Sequence, residues 1–312
     1  MRSLVTLCVL ATLPVALSPP QVSRSRSQMQ SQVAAIAASF HGQLGVAAVN
    51  LGTGETIAVN ADTRFPTAST IKTAVMIEAW QQIAEGQLTP GALIPLHDAD
   101  KVGGAGVLRG MHDGLALTVG DLIHLMMVLS DNTATNMLIA RVGTARVNQR
   151  LESYGLQQTK LFRQTFRDGR ADVLPDLERE FGLGMTTPRE MARLMSLIAE
   201  GKAVSRDASE AMLATLRRQQ DRAMIPRFLP DDDRVQIGNK TGTDEEKHAQ
   251  KDGVKRHVRA DAAIVTGPGF SYVIAIYTRQ VEDTRWTMDN DALTTGARVS
   301  KMIYEHFSGV RP

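Results

Sequence analysis

The chain has 312 residues, of which 43% are hydrophobic and 22% charged, so it can bury the core of one large domain or of two interleaved ones. Its net charge of +2 comes from interspersed acidic and basic residues, as expected for solvated surface. This mixture argues against a basic nucleic-acid-binding face, and we expect no nucleic-acid partner.

The N-terminal segment combines Arg2 with an apolar run over residues 4–17 and a polar stretch after it. This pattern predicts a signal peptide over residues 1–20 and a linker over 21–34, followed by a catalytic domain over 35–312. An uncleaved anchor is the alternative, but the apolar run is short for a membrane span, so we expect no stable membrane insertion after signal removal. Export would deliver the protein to the periplasm or the medium. The single cysteine, Cys8, lies inside the signal, which leaves neither a disulfide nor a thiolate nucleophile.

Strand-like patterns lie at both ends of the remaining chain. Residues 44–61 predict a β-hairpin, and the later strand-like runs cover residues 235–240, 262–265 and 272–277. Residues 73–225 predict helices and loops, with helix starts at Thr118 and Thr187. We therefore expect an α/β (α+β) fold whose antiparallel sheet and flanking helices come from residues 35–72 and 226–312, with 73–225 inserted as an all-helical domain. A cleft is expected at the boundary between the two parts.

Three short polar motifs occur in one order: Ser69-Thr70-Ile71-Lys72, Ser130-Asp131-Asn132 and Lys240-Thr241-Gly242. Taken singly, Ser69 reads as a helix cap, Lys72 as a surface lysine and Lys-Thr-Gly as a turn. Taken together, they supply a nucleophile, a base, a proton relay and an anion-binding lysine, the groups needed for acyl transfer through a covalent serine intermediate.

The spacing of the first motif has a direct chemical meaning. If Ser69 opens a helix, Lys72 lies one turn later on the same face, within reach of the serine hydroxyl. Lys72 can act as a base only if it gives up its proton near neutral pH. Burial and the charge of Lys240 would lower its pKa, whereas a nearby carboxylate would raise it. Asp131 is expected to tie its turn together locally.

These motifs, with the flanking segments 64–68 and 133–136, resemble those of the penicillin-recognising serine enzymes: class A β-lactamases and the related D-Ala-D-Ala peptidases. The resemblance runs from about residue 35 to the C-terminus. It implies a β-lactamase/transpeptidase-like fold that acts without a metal or organic cofactor. The implied partner is a small β-lactam or a peptidoglycan stem peptide, and we expect a monomer.

The resemblance also implies roles for individual residues. Ser69 would be acylated, Lys72 would be the base and Ser130 the proton relay. Five further residues would bind the substrate: Asn132, Lys240, Thr241, Gly242 and Thr243. The N–H groups of Thr243 and Ser69 would form the oxyanion hole. Arg259 either helps to bind a substrate carboxylate or is a surface charge.

The pattern departs from the class A family after the second motif. Class A enzymes clear the acyl-enzyme with the glutamate of a Glu-x-x-Leu-Asn segment, and the closest match here is residues 174–178, which begins with Leu174. Leucine cannot activate water. This difference favours the alternative of a D-Ala-D-Ala carboxypeptidase or penicillin-binding protein with slow deacylation, unless Asp172, Glu178 or Glu180 replaces the base. A non-turnover sensor is a third alternative.

Two further segments bear on substrate choice. The loop over residues 102–107 lacks the aromatic residue that often lines the class A cleft, and residues 244–259 are long and charged beside the third motif. Either segment can reshape the pocket.

Overall fold

A computed structural model describes residues 25–246 and 253–309, so the signal peptide prediction lies outside the described residues. The elements of the described residues, in chain order, are α1 (Arg26–Ser39), β1 (Gln43–Asn50), β2 (Thr56–Val59), β3 (Phe65–Pro66), α2 (Lys72–Ala84), β4 (Leu93–Pro95), β5 (Ala116–Thr118), α3 (Val119–Val128), α4 (Asn132–Val142), α5 (Thr144–Ser153), β6 (Lys160–Leu161), α6 (Pro175–Phe181), β7 (Gly184–Thr186), α7 (Pro188–Ala199), α8 (Arg206–Leu216), β8 (Gln236–Glu245), β9 (His257–Gly267), β10 (Phe270–Val281) and α9 (Asp291–Ser308).

The first helix corrects the sequence prediction. A linker was expected over residues 21–34, but from Arg26 onward the chain is helical, with Ser25 as its N-cap. Met29 and Val33, four residues apart on one helix face, are fully buried against the sheet and α9. The linker prediction is therefore wrong from residue 26, because this polar-looking segment carries an apolar stripe that completes the core.

The main sheet has five antiparallel strands in the order β2-β1-β10-β9-β8. It takes two strands from the N-terminal and three from the C-terminal part of the chain, so the predicted hairpin and mixed-origin sheet are confirmed. Successive residues of a strand face opposite sides. In β10, Val273 and Ala275 therefore pack toward α2 and α7, whereas Ile274 and Ile276 pack toward α1 and α9.

The inserted residues between β3 and β8 are mainly helical, but the prediction of an all-helical domain is wrong. Four short strands lie among the helices of this described segment, because β4 pairs with β5 and β7 pairs with β3 and β6. Helix α2 is buried over most of its length at the centre of the helices around it. The predicted caps are confirmed: Thr118 forms a capping box with Asp121, and Thr187 accepts from the N–H of Glu190 ahead of α7. No helix within the described residues is long and apolar enough to cross a membrane. The exact division of the domain at residues 72 and 225 stays a prediction.

Candidate active site

Ser69 lies in a single 3₁₀ turn, Ala68–Ile71, which leads directly into α2. Ala68 adopts a left-handed φ of 43°, a conformation that costs about 1–3 kcal/mol for a residue with a side chain. The Thr70 hydroxyl donates to the Thr67 carbonyl at 2.8 Å and lies 2.7 Å from the Tyr277 hydroxyl. The first contact closes the turn around Ser69 and the second fastens it to β10, while Ser69 itself is partly exposed.

Lys72 is completely buried, and its ammonium donates three hydrogen bonds. The acceptors are the Ser130 carbonyl at 2.7 Å, the Ser130 hydroxyl at 3.1 Å and the Asn132 side-chain oxygen at 2.7 Å. Burial lowers the pKa of Lys72 well below that of an ordinary lysine, the charge of Lys240 lowers it further, and Asp131 opposes both. The predicted direction and causes of this pKa shift are confirmed.

The second motif bridges two helices. Ser130 lies between α3 and α4 with a left-handed φ of 56°, which turns the chain sharply at this point. Asp131 caps α4 by accepting from the Ala134 N–H at 2.9 Å, so its predicted local role is confirmed. Its other oxygen accepts from the N–H groups of Val107 and Leu108 at 2.6 and 2.9 Å. Asp131 therefore also fixes the glycine-rich loop before it.

The third motif lies on β8, the edge strand of the sheet. Lys240 is completely buried and donates to the Ser130 hydroxyl at 3.1 Å and to the Thr241 carbonyl at 2.8 Å. Burial lowers its pKa to about 8, although Asp221 and Asp261 partly oppose the shift. The Ser130 hydroxyl thus receives hydrogen bonds from two buried lysines.

Gly242 permits the closest approach in the site. A Cβ atom at this position would lie 2.7 Å from the Thr67 carbonyl oxygen and 3.2 Å from the Ser69 nitrogen. Only glycine lets β8 pass this close to the nucleophile turn. The next residue, Thr243, consequently lines the same cavity as Ser69.

A cavity of about 720 Å³ opens where the helical part meets the edge of the sheet. Its walls include five of the predicted site residues: Ser69, Ser130, Asn132, Thr241 and Thr243. Lys72 and Lys240 lie just behind it, bonded to Ser130. Within the described residues, no group of three or more His, Cys, Asp or Glu side chains is placed to hold a metal ion.

The loop after β6 supplies a second wall. The side chain of Asn136 on α4 accepts from the Thr165 N–H at 2.8 Å and donates to the Thr165 carbonyl at 3.1 Å. These two bonds hold Thr165, Phe166 and Asp168 at the cavity. None of these three residues is predicted from the sequence, because they belong to no motif. The only signal in the sequence was Asn136, which ends the segment 133–136 that continues the second motif.

The acids predicted from the sequence lie elsewhere in this loop. Glu178 is buried and accepts from the Arg163 guanidinium at 2.6 Å, and Asp172 accepts from the Thr144 hydroxyl at 2.6 Å. Glu180 lies 3.7 Å from the Arg279 guanidinium. Leu174 is 46% exposed, and neither it nor these acids belong to the cavity wall. Of the loop acids, Asp168 does line it, paired with Arg163.

Arg259 is placed differently from the sequence expectation. It lies within β9 and is buried, so the alternative of a surface charge is wrong. Its guanidinium carbon lies 4.7 Å from the centre of the Trp286 ring. Trp286 lines the cavity, whereas Arg259 does not.

A profile of the beta-lactamase enzyme family matches residues 28–307 of this chain. The chain belongs to this family. Beta-lactamase CARB-3 of Pseudomonas aeruginosa is 30% identical over 183 residues, which cover 57% of this chain and 60% of CARB-3. The chain therefore spans about three-fifths of the length of the first curated relatives it matches.

Two solved structures resemble nearly the whole fold. The beta-lactamase from Sphaerobacter thermophilus DSM 20745 is 32% identical with a TM-score of 0.77, covering 92% of this chain and 100% of that one. A leucine-to-glutamate mutant of PBP-A, solved as an acyl-enzyme complex with penicillin G, is 27% identical with a TM-score of 0.75. That comparison covers 94% of this chain and 100% of the PBP-A chain. The expected β-lactamase-like fold is confirmed.

Proposed function

We propose that this protein is a serine hydrolase of the class A β-lactamase type, which opens β-lactam amides through an acyl-enzyme on Ser69. One observation carries the proposal: Lys72 and Lys240 both donate to the Ser130 hydroxyl, on the wall of a cavity that also exposes Ser69. This arrangement joins a base, a proton relay and an anion-binding cation at one nucleophile.

Acylation begins with the proton of Ser69. Lys72 in its neutral form accepts this proton, and the Ser69 oxygen forms a bond to the carbonyl carbon of the substrate amide. The N–H groups of Ser69 and Thr243 are proposed to stabilise the negative charge that develops on the carbonyl oxygen. The lowered pKa of Lys72 supports this role, because it raises the neutral fraction of the amine near neutral pH.

The amide nitrogen leaves as the tetrahedral intermediate collapses. Its bond to the carbonyl carbon breaks, and the Ser130 hydroxyl gives it a proton while taking one from Lys72 through their 3.1 Å contact. We propose that Lys240 and Thr241 bind the substrate carboxylate and that Asn132 binds the acyl side-chain amide. Water then hydrolyses the ester on Ser69.

A second candidate function is a D-Ala-D-Ala carboxypeptidase that β-lactams acylate and whose acyl-enzyme is hydrolysed slowly. It is favoured by an apolar Leu174 at the aligned glutamate position and by the pairing of Glu178 with Arg163. PBP-A, whose leucine-to-glutamate mutant was solved as an acyl-enzyme complex with penicillin G, has a similar structure. If a loop acid activates water, we propose Asp168, since Asp172 and Glu178 reach the cavity only after a rearrangement of the loop.

The experiment that tests both candidates follows the mass of the purified protein after mixing with benzylpenicillin. A Ser69 adduct that forms and disappears within seconds supports the β-lactamase. An adduct lasting minutes to hours supports the carboxypeptidase, and release of D-alanine from a D-Ala-D-Ala peptide would complete that case. The Ser69→Ala variant is the control, and wild-type protein without any adduct would refute both.

The place of action follows from the substrate. We propose that residues 1–20 direct export and that the protein acts as a monomer in the periplasm or outside the cell, where β-lactams and peptidoglycan peptides occur. Detection of a protein without these residues in the periplasmic fraction, but not in the cytoplasm, tests the export.

A further inference from the structure

Phe166 is an exposed apolar residue on the cavity wall. Its side chain is 57% exposed, although phenylalanine is normally buried, and its φ of 56° lies in the left-handed region. The residue is therefore held in a disfavoured backbone conformation that presents the ring to the cavity. Such a combination of strain and apolar exposure is typical of a ligand-binding position.

The neighbouring contacts fix where the ring lies. The two Asn136 bonds to Thr165 hold the residue before it, and the ring packs against the backbone at Gly103 and Gly104. A Cβ atom on Gly104 would lie 2.8 Å from the Phe166 ring and 2.6 Å from the Asn132 side-chain nitrogen. The ring and the Asn132 amide therefore flank the same glycine.

This part of the cavity has an apolar side, formed by the Phe166 ring, and a polar side, formed by the Asn132 amide. Asn132 donates from its side chain to the Gly103 carbonyl at 3.1 Å, which keeps its amide beside the ring. A substrate amide at Asn132 would carry its acyl substituent past Gly104 and onto Phe166. A flat apolar ring binds another aromatic or branched apolar group by contact area and stacking, rather than by hydrogen bonds.

From this geometry we propose that Phe166, with the backbone of Gly103 and Gly104, forms a subsite that selects substrates whose acyl group ends in an aromatic or bulky apolar substituent. The inference rests on the proposed function, because it assigns a specificity-determining residue to the same Ser69 chemistry. Phe166 acts by binding the non-reacting part of the substrate, so its effect depends on what the acyl group carries.

The test compares two penicillins that differ only beyond the side-chain amide: benzylpenicillin, which carries a phenyl ring, and 6-acetamidopenicillanic acid, which carries only a methyl group. The main variant is Phe166→Gly, because glycine adopts the observed φ freely and keeps the loop conformation. Phe166→Tyr preserves the ring. Phe228→Ala is the matched control, since Phe228 is an exposed phenylalanine outside the cavity wall.

We expect Phe166→Gly to lower the second-order rate constant for Ser69 acylation about tenfold with benzylpenicillin and less than about twofold with the acetamido compound. Phe166→Tyr and Phe228→Ala should keep the wild-type ratio of the two rate constants. An equal loss with both penicillins, or no loss with either, would overturn the subsite. Failure of both compounds to acylate the wild-type protein would instead refute the proposed function itself.

Discussion

One wall of the cavity carries Ser69, Ser130 and Thr241 and is built from helix ends and a sheet edge, whereas the wall over residues 163–168 is a loop. The first wall is fixed by buried contacts, including the two lysines that meet at Ser130. The second depends on the Asn136 bonds and on one buried ion pair.

The two walls also correspond to the two halves of the proposed reaction. The groups that form the acyl-enzyme belong to the first wall, which we call the rigid wall. The groups that would set the lifetime of the acyl-enzyme, and those that would select the acyl group of the substrate, lie on the loop. Substitutions on the rigid wall should therefore affect every substrate and the rate of acylation. Substitutions in the loop should affect stability, substrate choice or adduct lifetime.

The largest effect is expected at Lys72, directly behind the rigid wall. Lys72→Ala removes the proposed base and leaves the Ser130 carbonyl and the Asn132 oxygen without their buried donor. We expect Ser69 acylation by benzylpenicillin to slow about 10³-fold, measured as adduct formation by mass spectrometry. Lys202→Ala removes a largely exposed lysine and should leave the rate unchanged. A Lys72→Ala rate within tenfold of wild type would assign the base elsewhere.

Gly242→Ala tests how closely the sheet edge must approach the nucleophile turn. The added methyl group would meet the Thr67 carbonyl oxygen at 2.7 Å and displace β8 or the turn. A shift of about 1 Å at reacting groups costs about 100-fold, so we expect a loss of this size in acylation rate with every penicillin. Gly91→Ala is the matched control, because a Cβ there has no neighbour within 4 Å. Equal rates in the two variants would show that the close approach is unnecessary.

Glu178 and Asp176 provide a matched pair within α6 for the loop wall. Glu178→Gln removes the buried negative charge beside Arg163, which keeps only its more exposed partner Asp168, and we expect it to lower the free energy of unfolding by about 2 kcal/mol. Asp176 forms an exposed pair with Arg179, so Asp176→Asn should leave stability unchanged. Urea unfolding of both variants measures the difference. A similarly small effect in both variants would show that the buried pair of Arg163 and Glu178 does not anchor the loop.

The contrast between the two walls explains which site residues could be predicted from the sequence alone. Ser69, Lys72, Ser130 and Lys240 could be predicted because each lies in a short motif whose geometry is set by local helix or strand structure. Phe166 could not, because its position depends on long-range bonds from Asn136 that leave no pattern in the loop sequence. Helix α1 was missed for a related reason: its stripe of Met29 and Val33 is recognisable only against α9.

The burial of Glu178 shows the limit of reading charge as exposure. An acid in a charged loop is normally solvated, and nothing near Glu178 in sequence identifies Arg163, fifteen residues earlier, as its buried partner. Only the folded structure of the loop brings Glu178 and Arg163 together.

The smallest effect concerns the pH dependence of substrate binding on the rigid wall. Lysine carries its charge below its pKa, and burial lowers the pKa of Lys240 from 10.5 to about 8, so the free protein should lose this cation as the pH rises through 8. We expect kcat/KM for benzylpenicillin to fall above about pH 8, by at most about tenfold per pH unit. The methyl ester of benzylpenicillin has no carboxylate to pair with Lys240, so its kcat/KM should lack this fall.

Protein stability should change in the opposite direction over the same range. The unfolded chain keeps the Lys240 proton up to a pKa near 10.5, whereas the folded protein releases it near 8. Between these values the unfolded state binds more protons, so this group makes the folded state more stable as the pH rises. A loss of kcat/KM near pH 8 without loss of folding would therefore assign the effect to Lys240. The same fall with the methyl ester would point instead to a group that acts on every substrate.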